Sequence, residues 1–120
     1  MAYYVVWLDR AHAKVYSMGQ DHKSLSLKWS KPDHHTHRHD AKDDVSQAFY
    51  HEVAKSIGDA IEVLVVGPGQ AKSQFKHHLE QHDAPLAKKV VAYEAADHPT
   101  EGQLLDHARR FFRDPLHAAP

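Results

Sequence analysis

The chain opens on YYVVWL, Tyr3 to Leu8, an apolar run rich in β-branched and aromatic side chains that predicts a strand. Residues 9–12 make a turn, and Ala13 to Met18 return as a second strand. After another turn at 19–21, Ser24 to Ser30 (SLSLKWS) alternates cleanly and puts Leu25, Leu27 and Trp29 on one face of a third strand. The period then changes from two to about four. Val45, Phe49, Val53 and Ile57, with Ala48 beside them, form the stripe of a helix that starts at Asp43 or Asp44 and stops at Gly58-Asp59. Ile61 to Val66 (IEVLVV) is almost continuously apolar, which suits a strand buried on both faces. Gly67-Pro68-Gly69-Gln70 breaks it. A second helix is predicted from Ala71 to Gln81, with Phe75 and Leu79 inward, and Pro85 interrupts the chain after it. Val90 to Ala95 (VVAYEA) form a fifth strand. Thr100 and Gln103 have capping-box spacing at the head of a third helix, whose buried stripe is Leu104, Leu105, Ala108, Phe111 and Phe112.

The predicted order is β-β-β-α-β-α-β-α. A meander followed by two parallel crossovers makes an α/β fold: a mixed five-stranded sheet with helices packed on it, the topology of a ribonuclease-H-like domain. Residues 1–112 form that single domain, and residues 113–120 a frayed C-terminal tail. At 120 residues the chain is long enough to bury one core without staples. It has no Cys, which excludes disulfides and thiolate metal sites and fits a reducing compartment. No apolar run approaches the roughly 20 residues that span a bilayer. The N-terminus lacks the basic segment and cleavage site of a signal peptide, so a cytoplasmic protein with no membrane partner is expected.

Fifteen basic residues against sixteen acidic ones leave a formal charge of −1. A general polyanion-binding surface is therefore not expected, and any contact with nucleic acid is local or shape-driven. The 13 histidines change the picture below neutrality, because an ordinary imidazole titrates near ~6.5 and the chain becomes cationic around that pH. Four of them fall within six residues, His34 to His39, inside KPDHHTHRHDAKDD, Lys31 to Asp44. If this stretch is extended, His35, His37 and His39 share one side at a spacing of about 6.6 Å. Their imidazoles can then converge on zinc, nickel or copper, with Asp33 or Asp40 completing the set. The other reading is a solvated segment that contacts RNA through Lys31, His34, His35, His37, Arg38 and His39.

The remaining chemistry is weaker. Gly67, Gly69, Gln70 and Lys72 stand at a strand-to-helix turn, where free N–H groups attract anions, but no Walker pattern is present and a plain packing turn explains them. Asp9, Glu62 and Asp97 do not make the carboxylate set of a two-metal nuclease; Asp9 reads as a turn cap. His77, His78 and His82 lie in HHLEQH, which is not His-Glu-x-x-His and reads as exposed helix surface, although His78 and His82 are one turn apart. Trp7, Trp29, Phe49 and Phe75 fall at inward positions and read as core. An exposed sheet edge offers a route to a homodimer.

Two segments, IEVLVVGPGQAKSQFKHHL and KKVVAYEAADHPTEGQLLDHARRFF, together with the opening VVWLDRAHAKVYSM, resemble the middle domain of archaeal and eukaryotic peptide-chain release factors and of the ribosome-rescue protein Pelota. Bacteria carry shorter relatives of that domain, labelled translational machinery proteins. The likeness runs from Tyr3 to Phe112. It implies a role in translation, with the ribosome, ribosomal RNA or tRNA as partner. In release factors a Gly-Gly-Gln loop comes after the third strand and enters the peptidyl-transferase centre. Here that interval is Lys31 to Asp44, which has neither Gly nor Gln, and a Gly-Gly pair reaches backbone conformations that bulky residues do not. The resemblance thus implies a non-catalytic relative. Gly69-Gln70 is no substitute, because it comes after the fourth strand.

Overall fold

A computed structural model of the chain describes residues 2–18, 24–28 and 39–113, with side chains over 3–18 and 47–113. The elements are β1 (Ala2–Leu8), β2 (His12–Met18), β3 (Ser24–Lys28), α1 (His39–Ser56), β4 (Ala60–Gly67), α2 (Ala71–His82), α3 (Ala84–Ala87), β5 (Val90–Ala95) and α4 (Glu101–Arg113). The apolar opening run is the middle strand of a mixed sheet ordered β3-β2-β1-β4-β5. β1 pairs antiparallel with β2, Val5 opposite Tyr16 and Trp7 opposite Lys14. It pairs parallel with β4, Val5 beside Leu64 and Trp7 beside Val66. β5 adds to β4 in parallel. Four of the strands, β1, β2, β4 and β5, carry described side chains, and β3 lies on the margin by backbone register alone.

Alternation along β1 and β4 feeds two cores. Val6, Leu8, Val63 and Val65 face α1 and α2, where Phe49, Val53, Ile57, Phe75 and Leu79 close over them. Val5, Trp7, Leu64 and Val66 face α4, packing on Leu104, Leu105 and Ala108. This double burial is why IEVLVV lacks the polar half of an ordinary strand pattern. Helices on both faces of one sheet make this a small single α/β domain.

Three expectations are revised. α1 begins at His39 rather than at Asp43 or Asp44; its first turn has no apolar period to mark it. β3 is described over Ser24–Lys28, and residues 29–30 of the predicted strand lie outside the described residues. Pro85 does not simply interrupt: it stands in the first turn of the short α3, where its missing N–H costs nothing, and Asp83 Oδ1 accepts from the Leu86 amide at 3.4 Å. The element order therefore carries an additional helix between α2 and β5. Phe111 and Phe112 are half-buried at the margin of the α4 core rather than inside it. The predicted turn at 19–21, Trp29 and the tail beyond residue 113 lie outside the described residues.

The capping box is formed in full. Gln103 Oε1 accepts from the Thr100 amide at 2.9 Å, and Thr100 Oγ1 accepts from the Gln103 amide at 3.1 Å. Thr100→Ala is expected to lower stability by about 1 kcal/mol, with Thr100→Ser restoring most of it. Urea denaturation of the three proteins tests this.

Candidate functional site

β1, β3, β4 and β5 run in the same direction, so their C-terminal ends meet at one end of the sheet. Open α/β sheets bind ligands at that end. Lys28, the last residue of β3, is the register partner of His12, beside the β1–β2 turn. The interval from 29 to 38 therefore leaves the described fold at this end. It lies outside the described residues, and with it Lys31, His34, His35, His37 and Arg38. His39 and Asp40 are described only as backbone, in the first turn of α1. The extended arrangement behind the His35, His37, His39 metal reading therefore does not continue through His39: these two residues wind with the helix.

Three described features share this end. The β1–β2 turn is held by Asp9, whose Oδ1 accepts from the Ala11 and His12 amides at 2.9 and 2.6 Å, the turn cap expected from sequence. Arg10 is exposed at its tip. The β4–α2 turn is built on Gly67 (φ 155°) and Gly69 (φ 63°), conformations that side chains with a Cβ rarely adopt. Here Lys72 turns inward, donating to the Gly67 and Gly69 carbonyls at 2.7 and 2.8 Å. Its ammonium satisfies two of the turn's own acceptors. The third feature is the β5–α4 connection. Trp7 Nε1 donates to the Asp97 carbonyl at 2.9 Å, and the His98 ring packs on Trp7 at 5.2 Å between centroids. Trp7 is core, as expected.

Next to it, Val66, Ala95, Pro99 and Leu104 floor a shallow cavity of about 210 Å3, with Glu94 and His107 on its rim. Glu94 Oε1 and His107 Nε2 stand 2.7 Å apart. The sequence reading missed this pair. Asp9, Glu62 and Asp97 do not assemble, and among the described residues no group of three or more His, Asp or Glu is arranged to hold a metal. No described helix is long and apolar enough to cross a membrane.

Away from this end, three polar contacts matter. Tyr4 donates to Asp59 Oδ1 at 2.6 Å, a bond that pushes the phenol up to about 12 and draws the Asp59 carboxyl down. Tyr93 is pushed up to about 12 as well, mainly by burial and then by Glu80; its hydroxyl is buried without a hydrogen-bond partner among the described residues. Finally, His78 is buried, not exposed as its sequence context suggests. Its place three residues after Phe75 and next to Leu79 put it on the inward stripe, a positional signal that its polar character masked.

The geometry defines a class first: two apolar cores on the two faces of a mixed sheet. That fold occurs in translation factors. Archaeoglobus fulgidus Pelota superposes with a TM-score of 0.65 at 16% identity, over 91% of this chain and 31% of that one. The archaeal translation termination factor aRF1 gives 0.65 at 19% identity, over 98% of this chain and 36% of that one. Saccharomyces cerevisiae Dom34, described as a translation termination-like factor involved in RNA quality control and interacting with Hbs1, gives 0.54 at 12% identity over 98% of this chain. In sequence, the Pelota homolog of Pyrococcus furiosus is 39% identical over 56 residues, 42% of this chain and 16% of that protein. No protein-family model matches the chain. In fold, the chain is similar to one part of these Pelota and termination-factor structures. It spans about a third of the length of the solved structures it matches and less of the curated relative.

Proposed function

We propose that this protein acts in translation as a non-catalytic domain of the release-factor and Pelota type, with a ribonuclease-H-like fold and a cytoplasmic site of action. The observation that carries the reading is the likeness in fold to Pelota and aRF1 over nearly the whole chain. Its contact with the ribosome or its RNA runs through Lys31, His34, His35, His37, Arg38 and His39. That interval departs from the end of the sheet where this class of fold carries its ligand-facing connections. The absence of Gly and Gln from it argues against peptide release. A protein partner of the kind that Dom34 has in Hbs1 fits the same reading. With a formal charge of −1, affinity comes from shape and from local charge, and it strengthens as imidazoles protonate.

Ribosome co-sedimentation at low and physiological salt, at pH 6 and 7.5, tests the proposal. The chain is expected to pellet with ribosomes at physiological salt, more strongly at pH 6. A variant with Ser at 34, 35, 37, 38 and 39 is expected to lose about tenfold or more in affinity, about 1.4 kcal/mol. Equal pelleting of the two proteins removes the interval from the interface, and no pelleting of either removes the ribosome.

A second reading rests on the His-x-His-x-His spacing: His35, His37, His39 and Asp40 hold zinc or nickel. The helical backbone at His39 and Asp40 weighs against it. Stoichiometric metal in protein purified without metal resin would favour it over the first reading.

A further inference from the structure

His78 is the one buried polar or charged residue among the described residues, at 4% exposure, and it sits where α2 meets α1. From α1 it is faced by Gln47, Tyr50 and His51. Its Nδ1–H donates to Gln47 Oε1, and the Tyr50 ring lies 5.9 Å away. From its own helix it is faced by His82, ring to ring at 4.8 Å, and Asp83 stands at the helix end. Tyr50 in turn donates to Gln74 Oε1 at 2.8 Å and packs on Phe75 at 5.8 Å. These contacts make a polar seam between α1 and α2 beside the apolar core.

A buried imidazole in such a seam is stable only while neutral. Charging it places a cation in a largely apolar environment, close to His82 and His51. Asp83 opposes this, but the balance holds the His78 imidazole below its ordinary range, through burial first and then His82 and His51. We propose that His78 is an acid-sensitive latch between α1 and α2: protonation of its ring undocks α1 while the opposite face of the sheet stays packed on α4.

The sign comes from linkage. A histidine whose folded pKa lies below its unfolded value contributes stability above pH ~6.5 and loses it as pH falls, because the open state takes up the proton more readily. Opening of α1 is then expected to increase by up to about tenfold per pH unit below ~6.5.

Hydrogen exchange of the intact chain at pH 7.5 and 5.5, corrected for intrinsic rates, tests this. Loss of protection over residues 47–56 at pH 5.5, with protection over 101–113 retained, is the expected result. His78→Phe and His78→Gln remove the titrating ring in two ways, one apolar and one able to meet Gln47, so that one variant suffices if the other folds poorly. Either is expected to abolish the acid sensitivity of α1. In the wild-type protein, a proton NMR titration should show His78 protonating at lower pH than an ordinary imidazole. Equal loss of protection in α1 and α4, no loss in either, or acid sensitivity that persists in the variants would each overturn the proposal.

Discussion

Gly67→Ala is expected to leave little folded protein. A methyl group at this position would lie 2.0 Å from the Leu8 carbonyl oxygen and 3.0 Å from its carbon, both backbone atoms of the neighbouring strand. The residue also holds φ +155°. Neither conflict can be relieved by rotating a side chain: β1 and β4 must separate at their C-terminal ends. Backbone strain of about 1–3 kcal/mol and overpacking of similar size together reach about 3 kcal/mol or more, a large part of the roughly 5–15 kcal/mol that holds a domain together. Gly69→Ala is the internal control. It has φ +63° but nothing within 4 Å of the added carbon, so only the left-handed conformation counts against it, about 1–2 kcal/mol. Chemical denaturation of the two variants should separate them clearly, and equal midpoints would refute the close approach of the strands.

The second large effect is expected at Phe75. Its ring is fully buried between α2 and the sheet and packs against Tyr50 of α1, so it joins three elements at once. Truncation to Ala removes the transfer free energy of the ring and leaves a cavity, about 3–5 kcal/mol in all. Phe75→Leu retains most of the volume and should cost under ~1.5 kcal/mol. Phe111→Ala, at the half-buried margin of α4, should fall well below Phe75→Ala. Urea midpoints give the ranking directly, and a Phe111 variant as damaging as the Phe75 one would place the centre of the core elsewhere.

Much of this architecture can be read from residue order, because hydrophobic period and secondary structure share one cause. Phe49, Val53 and Ile57 repeat every four positions since only that spacing keeps them on one side of a helix. The apolar run Val63 to Val66 within IEVLVV results from burial on both faces. Thr100 and Gln103 announce a helix start because their side chains replace the missing backbone partners. Where the reading failed, position outweighed residue type. Pro85 breaks a helix from inside but opens one at its first turn. His78 looks like surface because it is polar, yet helical phase carries it inward. The partners of Lys72 are carbonyls that converge only once the Gly67 and Gly69 turn has formed, so no residue pattern advertises them. The candidate site was legible mainly through its missing motif: the interval after the third strand has no Gly-Gly-Gln.

The placement of β1 has a kinetic consequence. Its antiparallel partner β2 comes next in the chain, so that hairpin can close within microseconds. Its parallel partner β4 is far along the chain, with Val5 beside Leu64, and both cores depend on that pairing. Loop-closure entropy must be overcome before any apolar surface of β4 is covered. The transition state for folding should therefore contain β1 docked on β4. Substitutions at Leu64 or Val65 would slow folding, while those in α4 would mainly hasten unfolding. During synthesis the first three strands would wait, with β1 open along one edge, until the ribosome has delivered residue 66 and beyond.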